Sequence, residues 1–433
     1  MKNDDASMKN DDARAISLAA LRLLFGDALG RDVGVRLWDG TRIDSPEKRF
    51  GLVLNDPGAL RAALLPPNDM NAGRAFIAGL IDCEGDLEAC IDTLLRVALL
   101  HKPRELGTLA RLLLRLPKPR KVAAPRVARF FGRKHSRIRD QRVIGYHYDQ
   151  PLEFYRAILD RQMVYSCAYF DDGIDDLDAA QIAKIDYTLD KLQLRPGDRL
   201  LDIGCGWGAL VERAAKRFGA RVLGITLSRS QHEYASERLR AAGLDGQARV
   251  ELRDYRELRG EPMFDKIVSI GMVEHVGYKQ LPSYFRIAFD ALRTGGLFLN
   301  HGIADQTPGR RVAKDHGFIS RYVFPDGHII PLSLTNVEAE RGGFEVRDVE
   351  NLREHYARTL RAWTSNLRRN RDAAVTAAGE AAFRTWLLYM AGSAQGFASG
   401  RLGLFQTLLA KPAPGGSVEL PATRRSLYER RTA

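Results

Sequence analysis

The most informative stretch of the chain reads Arg199-Leu200-Leu201-Asp202-Ile203-Gly204-Cys205-Gly206-Trp207-Gly208. Its first half is a short apolar run, which is typical of a buried parallel strand. Three glycines spaced two residues apart follow, and glycine permits both a sharp turn and a ligand lying against bare backbone. Residues 209–215 then predict a helix, whose first turn offers free N–H groups to a polar ligand. An apolar strand at 221–226 completes a βαβ unit, so the stretch predicts a nucleotide-type cofactor site.

Further features narrow the choice of cofactor. The glycine spacing is D-x-G-x-G-x-G and not the G-x-G-x-x-G of dinucleotide-binding folds. The second strand ends in Thr226-Leu227-Ser228, without an acid for a ribose, and a third candidate strand at 264–270 runs into Gly271-Met272-Val273-Glu274-His275-Val276-Gly277. Together these features resemble the S-adenosylmethionine-dependent methyltransferases.

Longer motifs resemble one branch of those enzymes, the cyclopropane-fatty-acyl-phospholipid synthases and their mycolic-acid relatives. They follow that family's order between residues 140 and 410, and the resemblance is weaker before them. The motifs are Tyr165-Ser166-Cys167-Ala168-Tyr169-Phe170, the glycine loop with Trp207, Thr226-Leu227-Ser228 with Gln231, Glu274-His275-Val276-Gly277, His301-Gly302-Ile303, Phe324-Pro325-Asp326-Gly327, and His355-Tyr356-Ala357-Arg358-Thr359-Leu360 with Trp363.

The alternation of strands and helices from residue 182 onward predicts an α/β fold with a doubly wound, mostly parallel sheet. The resemblance identifies this as the Rossmann-like class I methyltransferase fold. The length of 433 residues exceeds one average domain. We expect a disordered start at 1–14, a smaller N-terminal α+β domain for lipid docking at 15–116, a basic linker at 117–142 and a catalytic domain at 143–433. The apolar segment 373–411 predicts a long helix whose small residues leave room for an acyl chain.

The resemblance also implies a site, residue by residue. Two groups are implied, one for S-adenosylmethionine and one for a bicarbonate ion. The cofactor group is Tyr165, Ser166, Asp202, Gly204, Gly206, Trp207, Thr226, Leu227, Gln231, Tyr255 and Arg256. The catalytic group around bicarbonate is Cys167, Glu274, His301, Ile303 through its backbone, and Tyr356. The four cysteines show no zinc spacing, and no metal site is predicted.

The chemistry explains why such residues are needed. A cis alkene is a weak nucleophile, but the sulfonium of S-adenosylmethionine is electrophilic enough to methylate it. The resulting carbocation closes to a cyclopropane when the new methyl loses a proton, which requires a dry site and negative charge near the cation. A side-chain carboxylate touching the cation would itself be alkylated. The resemblance implies that bicarbonate is the base and that unsaturated acyl chains of membrane phospholipids are the substrate.

The net charge of +12 is concentrated in one run. Residues 115–142 contain eleven Lys or Arg against one acid, Asp140. Such a run suits a nucleic acid, an anionic membrane surface or a solvated linker. It has few interleaved aromatics, which favours the membrane over a nucleic-acid partner. The preceding segment 108–116 predicts a basic amphipathic helix, either on a membrane interface or packed on its own domain.

The chain has no apolar run of the ~18–20 residues that a membrane span needs, and no signal-peptide pattern. We therefore expect a cytoplasmic enzyme bound peripherally to the inner face of the cell membrane. Alternative functions stay open at this point. They are a fatty-acyl methyltransferase that leaves a methyl or methylene branch, a nucleic-acid methyltransferase, and a non-catalytic lipid-transfer protein. A homodimer is also left open.

Overall fold

The computed structural model describes residues 2–45, 49–100, 103–120, 130–148, 150–258, 263–307, 317–425 and 427. The chain divides into two compact units. The first comprises Met1–Val127, His316–Val323 and Ala374–Gln395, and the second comprises Ala128–Asp315, Phe324–Ala373 and Gly396–Ala433. This division differs from the boundaries expected from sequence, because two segments of the expected catalytic domain belong to the first unit.

The second unit is built on a seven-stranded sheet with the order β10-β11-β9-β8-β5-β6-β7. Strands β5 to β9 pair in parallel, and β11 pairs antiparallel with both β9 and β10. The predicted doubly wound, mostly parallel sheet is therefore confirmed. Its strands are β5 (Arg199–Ile203), β6 (Arg221–Thr226), β7 (Ala248–Leu252), β8 (Phe264–Ile270), β9 (Leu292–Asp305), β10 (Glu345–Asn351) and β11 (Leu402–Ala410).

Helices connect these strands. They are α6 (Arg137–Tyr148), α7 (Leu152–Arg156), α8 (Leu177–Lys191), α9 (Ala209–Phe218), α10 (Arg229–Ala241), α11 (Val273–Val276), α12 (Leu281–Ala291), α14 (Leu332–Arg341) and α15 (Arg353–Arg369). Leu200, Leu201 and Ile203 of β5 are fully buried, as expected for a central strand covered on both faces. The chain moves from β5 to β6 on one side and later to β8 on the other. This reversal opens a crevice at the carboxyl ends of β5, β6 and β8, where ligands bind in open α/β sheets.

The prediction of one helix across 373–411 is wrong at its C-terminal end. The structure has α16 (Arg371–Ala378) and α17 (Glu380–Ala398), followed by strand β11. Gly400 lies at φ +76° directly after α17, a left-handed conformation that ends a helix. Because β11 lies between β9 and β10, nearly all of its side chains are buried. A continuously apolar strand of this kind cannot be distinguished from a buried helix by periodicity.

The first unit combines a four-stranded sheet with helices. The sheet has the order β2-β1-β3-β4. The elements are α1 (Lys2–Phe25), β1 (Val33–Arg36), β2 (Arg42–Ile43), β3 (Phe50–Leu54), α2 (Ala59–Leu64), α3 (Asp69–Ile77), β4 (Ile81–Gly85), α4 (Leu87–Leu100), α5 (Pro103–Arg115) and α13 (Phe318–Tyr322). The segment 374–395 is tied to this unit by Arg384, whose guanidinium donates to the carbonyls of Phe76 and Ile81 and to Asp82.

Helix α1 begins at Lys2 and so includes residues that were expected to be disordered. Asn10 accepts a hydrogen bond from the indole N–H of Trp38 at 2.8 Å, and Arg14 pairs with Asp39 at 3.5 Å. These contacts with the loop after β1 attach this part of the helix to the unit. They involve partners distant in sequence, so a pattern search of residues 1–14 could not reveal them.

Helix α5 resolves the two readings of segment 108–116. Leu109, Leu113 and Leu116 are buried in the core of the first unit. The apolar face of α5 is thus used for packing on its own domain, and Leu114 alone of its leucines is more than half exposed. Within the described ranges, no helix is both long enough and apolar enough to cross a membrane.

The basic run is described at 115–120 and from residue 130 onward, so Lys121, Arg126 and Arg129 lie outside the described residues. Arg139 makes a two-pronged ion pair with Asp326 and also donates to the carbonyls of Phe130 and Gly132. Lys134 pairs with the same Asp326, and Arg137 pairs with Glu257. These charges are therefore partly neutralised within the second unit.

We expect Arg139→Gln to reduce the free energy of unfolding by about 2 kcal/mol, because it leaves the buried Asp326 without its main partner. Urea unfolding followed by tryptophan fluorescence measures this. Arg133→Gln is the matched control, since Arg133 is exposed in the same run, and it should change stability by less than about 0.5 kcal/mol. Equal effects of the two variants would mean that the Asp326 pair contributes nothing to folding.

Candidate functional site

A cleft opens at the carboxyl ends of β5, β6 and β8, at the reversal of strand order. Its wall includes every residue predicted for the cofactor except Arg256. The lining residues are Ile144, Met163, Val164, Tyr165, Ser166, Lys184, Ile185, Asp202, Ile203, Gly204, Cys205, Gly206, Trp207, Ala209, Leu210, Ile225, Thr226, Leu227, Gln231, Arg253, Tyr255, Ile270, Gly271, Met272 and His275. The structure therefore brings together residues from seven separate stretches of the sequence.

The glycine loop shapes the floor of this cleft. Gly204, Gly206 and Gly208 all have positive φ, at +84°, +54° and +84°. A Cβ added to Gly206 would meet no atom within 4 Å, so the space in front of it is open. A Cβ on Gly208 would lie 2.8 Å from the Cβ of Ala235, so that glycine serves helix packing instead. Gly206 is the position where a ligand can lie against bare backbone.

Aromatic rings line one side of the cleft and continue beyond it. Trp207 packs against Tyr155 and Tyr234 with ring centroids 5.4 and 5.3 Å away. Tyr165 lies 5.9 Å from Tyr155 and 5.3 Å from Trp363. Trp207 is buried, and its indole Nε1 has no hydrogen-bond partner among the described residues. This side of the cleft is apolar, with one buried donor available to a ligand.

Lys184 is a cleft residue that the sequence analysis missed. It projects from α8, is fully buried, and donates to the hydroxyl of Ser166 at 2.9 Å. Burial lowers the pKa of Lys184 to about 8, against the opposing effects of Cys167, Asp160 and Asp202. Burial likewise raises the pKa of Asp202 to about 7, with the Lys184 ammonium acting in the opposite direction. The two groups partly offset each other's charge at the inner wall of the cleft.

The sequence contains a pattern that could have indicated Lys184. Lys184, Thr188 and Lys191 follow one another at intervals of four and three residues, which places them on one face of a helix. All three side chains are buried. A polar stripe on the inner face of a helix is unusual, and it indicates polar partners in the interior.

The structure does not bring Arg256 into the cleft, whereas its neighbour Tyr255 lines it. The Arg256 guanidinium donates to Asp254 and Asp140 and to the carbonyl of His135. Arg253, which the sequence analysis did not select, lines the cleft instead. Sequence proximity to Tyr255 could not distinguish these two arginines.

Two residues predicted for catalysis, Glu274 on α11 and Ile303 on β9, meet beside the cleft, and His301 lies two residues before Ile303 on the same strand. Glu274 Oε1 accepts the backbone N–H of Ile303 at 2.7 Å. His301 lies opposite Ile270 in the sheet, and its carbonyl accepts the N–H of the cleft residue Gly271 at 2.9 Å. Glu274 Oε2 and His301 Nε2 are both buried and have no hydrogen-bond partner in the part of the chain that the structure describes.

The electrostatics of this pair follow from burial. Burial raises the pKa of Glu274 to about 7, and the N–H of Ile303 acts in the opposite direction. Burial also lowers the pKa of His301 well below its ordinary value, with Lys184 and Lys191 adding to the effect. An unpaired carboxylate oxygen and an unpaired ring nitrogen cost free energy inside a protein unless a polar ligand satisfies them. Each of the two atoms is therefore a place where a polar group of a ligand can bind.

Cys167 and Tyr356 approach each other at the start of α15. The Cys167 thiol lies 3.9 Å from the carbonyl of Leu352, which also accepts the N–H of Tyr356 at 3.1 Å. Burial raises the pKa of the Cys167 thiol, with Lys184 opposing the shift, so it stays protonated. The Tyr356 ring contacts Trp363 and Phe397, with centroids 6.1 and 4.7 Å away. Lys184 affects the pKa of both Cys167 and His301, so the two halves of the predicted catalytic group share one charged neighbour.

Comparisons with known proteins agree with this geometry. Residues 135–407 match the profile of the family described as Mycolic acid cyclopropane synthetase. A probable fatty acid methyltransferase of Pseudomonas putida is 39% identical over 400 residues, covering 91% of this chain and 95% of that protein. The cyclopropane synthase MmaA2 from Mycobacterium tuberculosis is similar in structure, with 32% identity, a TM-score of 0.59, and coverage of 63% of this chain and 98% of its own. Mycolic acid cyclopropane synthase CmaA1, complexed with SAH and CTAB, has 33% identity, a TM-score of 0.58, and coverage of 62% and 97%.

We expect Gly206→Val to abolish binding of S-adenosylhomocysteine, because the branched side chain would fill the open space in front of the loop. A left-handed φ adds a strain of ~1–2 kcal/mol. Gly243→Val is the matched control, since Gly243 has φ +68°, open space around it and no place in the cleft. Titration calorimetry on both variants separates the two effects. Both should lose stability, and unchanged affinity in a folded Gly206→Val protein would remove the cofactor from this cleft.

Proposed function

The chain belongs to the mycolic acid cyclopropane synthetase family and is an S-adenosylmethionine-dependent methyltransferase, and we propose that it forms cyclopropane rings on unsaturated phospholipid acyl chains. In this proposal the cis double bond is methylated, and loss of a proton from the new methyl closes the ring. The observation that carries it is the pair of orphaned buried atoms, Glu274 Oε2 and His301 Nε2, beside the cleft.

The cofactor's role is to supply an electrophilic methyl group, and the residues of the cleft are arranged to hold it. Gly204 and Gly206 would approach its amino-acid part. Thr226 and Gln231, already hydrogen-bonded to each other at 2.9 Å, would lie near its ribose. Ser166 is held by Lys184 and would close the cleft together with Tyr165. Asp202 beside Lys184 suits a ligand that carries both an ammonium and a carboxylate.

The catalytic group suits a bicarbonate ion that accepts the proton. Glu274 Oε2 can accept a hydrogen bond from the ion's hydroxyl, and His301 Nε2 faces its oxygens from the other element. Tyr356 would donate through its hydroxyl. Cys167 would donate through its thiol, whose hydrogen is directed to the Ala168 carbonyl at 3.1 Å and would turn toward the ion. Ile303 contributes differently from what the sequence led us to expect, because its N–H already holds Glu274 Oε1. That contact leaves Oε2 for the ligand.

The surroundings suit a cationic transition state. The site is buried, so water that would capture a carbocation is excluded. Trp363 contacts the rings of Tyr165 and Tyr356, and aromatic faces attract cations within about 6 Å of the ring centroid. We propose that these rings stabilise positive charge on the acyl chain without offering it a nucleophile.

A branched acyl chain is a second candidate product, because of the name of one relative. The 39% identical relative is named a fatty acid methyltransferase, not a cyclopropane synthase. Methylation of the same double bond followed by loss of a chain proton gives a methyl-branched alkene. A 1,2-hydride shift that brings the positive charge to the methyl-bearing carbon, followed by loss of a proton from the new methyl, gives a methylene branch. The residues described above serve both outcomes equally, so the product itself has to be analysed.

We also propose that the protein binds to the inner surface of the cell membrane. The electrostatic contribution to this binding should be smaller than the charge of residues 115–142 suggests. Lys134, Arg137 and Arg139 are engaged with acids of the second unit. The exposed Arg133 and Arg142 would then meet anionic lipid headgroups. The same pairing reduces the charge available for a nucleic acid.

Glu274→Gln should lower turnover by about 10²-fold or more, the usual scale for acid–base machinery, while S-adenosylhomocysteine binds as before. Glu338→Gln is the control, because Glu338 is a buried glutamate on α14 outside the cleft. Removing dissolved CO₂ should slow the wild type but not alter cofactor affinity. Wild-type turnover in Glu274→Gln would exclude this carboxylate from the reaction.

The pH dependence of the free energy of unfolding distinguishes a catalytic effect of Glu274→Gln from damage to the fold. The pKa of Glu274 is about 7 in the folded protein against an ordinary 4.5, so ionisation destabilises the folded state as pH rises from 4.5 to 7. Glu274→Gln should therefore gain stability relative to the wild type between pH 5 and pH 8.5 in urea unfolding, while its turnover stays low throughout.

The function itself is tested by product analysis. We expect expression in a bacterial host with mono-unsaturated phospholipids, and without such an enzyme of its own, to yield acyl chains heavier by one CH₂. Mass spectrometry after mild hydrogenation separates the products, because a cyclopropane takes up no hydrogen whereas a branched alkene takes up one H₂. Cells that express Glu274→Gln serve as the control. An unchanged lipid profile with folded, cofactor-binding protein would exclude this class of substrate.

A further inference from the structure

The side-chain amide of Gln406, on β11, has a hydrogen-bond partner at both its oxygen and its nitrogen, and one of these partners is His301 of the predicted catalytic group. It is buried and lies directly opposite His301 in the antiparallel pairing of β11 with β9. Its other neighbours, Thr188 and Lys191, belong to the polar stripe of α8 described above. The residue is not among those predicted for the site, and no role has been assigned to it so far.

The orientation of the Gln406 amide is fixed by its partners. Lys191 carries only donors, and its ammonium lies 2.8 Å from Gln406 Oε1, so that atom is the carbonyl oxygen. The Gln406 NH₂ group then points to Thr188 Oγ1 and to His301 Nδ1, each at 3.2 Å. Thr188 already donates its hydroxyl hydrogen to the carbonyl of Lys184 at 2.8 Å, so its oxygen accepts from Gln406. Every donor in this network has an acceptor.

One consequence concerns the histidine ring. Because Gln406 Nε2 is a donor, His301 Nδ1 is the acceptor and carries no hydrogen. A neutral imidazole has one N–H, so the proton lies on Nε2, the orphaned atom that faces the proposed ligand. We infer that Lys191 and Gln406 are positioning residues that hold His301 as the Nε2–H tautomer and thereby present a hydrogen-bond donor to the catalytic ligand. The ligand's identity, but not the tautomer, rests on the proposed function.

This tautomer gives the two orphaned atoms different roles, because His301 Nε2 is a hydrogen-bond donor and Glu274 Oε2 is an acceptor. His301 donates and cannot take up the reaction's proton at Nε2, whereas the ionised Glu274 accepts. A ligand that satisfies both carries an O–H for Glu274 and an anionic oxygen for His301. Bicarbonate has this combination, whereas carbonate lacks the O–H. The nearby ammonium groups of Lys184 and Lys191, together with burial, lower the pKa of His301 and so oppose the imidazolium form.

The test is ¹⁵N NMR of the full-length protein labelled at its histidines, with His301 assigned from the spectrum of His301→Gln. We expect a protonated Nε2 and an unprotonated Nδ1 for His301 between pH 6 and pH 8.5. Gln406→Glu should reverse this, because a carboxylate beside Lys191 can only accept, which moves the proton to Nδ1. Turnover should then fall about 10–100-fold, the scale for residues that orient a ligating group, with unchanged affinity for S-adenosylhomocysteine.

Thr188→Val is the matched control within the same network. It removes one acceptor but leaves the contact between Gln406 and His301, so the tautomer should not change. If Gln406→Glu does not fold, Lys191→Met is the second test. Without the ammonium of Lys191 the Gln406 amide can rotate, so His301 should become a mixture of its two neutral tautomers. A protonated Nδ1 in the wild type overturns the inference, as does full turnover in a folded Gln406→Glu. Unmodified lipids with the expected tautomer would instead count against the proposed function alone.

Discussion

The constraint on which the rest of the site depends is that Glu274 is buried with one donor for its two oxygens. The Ile303 N–H satisfies Oε1, while Oε2 faces the interior without a partner among the described residues. Such an arrangement raises the pKa of the carboxyl to about 7 and costs folding free energy when the group ionises. Folded proteins keep strain of this kind mainly at functional sites, and the stable sheet around β9 compensates for it. A polar ligand at Oε2 would relieve this cost, which is the reason for the proposal that an ion binds there.

Helix α8 connects the parts of the site through a single polar face. Lys184 reaches Ser166 and the region of Asp202 in the cleft, and Lys191 reaches Gln406 behind His301. A helix is rigid over this distance, so the cleft and the catalytic group are held in a fixed relation by one element. Burying two lysines is costly, and each has hydrogen-bond partners that reduce this cost. Burial lowers the pKa of the neighbouring His301, and the positive charge of the two lysines adds to the effect.

The sequence predicted what depends on local pattern and could not predict what depends on tertiary contact. The strand, the glycine loop and the doubly wound sheet follow from β5 and its surroundings, and all but one of the cofactor residues line the cleft. Arg256 was misplaced because its partners, Asp140 and Asp254, form an ion-pair cluster that no spacing reveals. Gln406 was missed because it acts through neighbours distant in sequence, whereas the polar stripe of α8 did offer a sequence signal for Lys184. Strand β11 was predicted as helix because full burial removes the alternation that identifies a strand.

The way the catalytic residues are held bears on the choice between ring and branch. Glu274 is fixed by a backbone N–H and His301 by an amide that is itself fixed from two sides. In the proposed mechanism, the position of the proton acceptor that these two residues bind is therefore set by the protein and not by the lipid. Which proton the carbocation loses then depends on which hydrogen the bound acyl chain places beside that acceptor. On the proposed mechanism, the choice of product lies in the residues that orient the acyl chain, and the same catalytic group would serve a cyclopropane synthase and a branching methyltransferase.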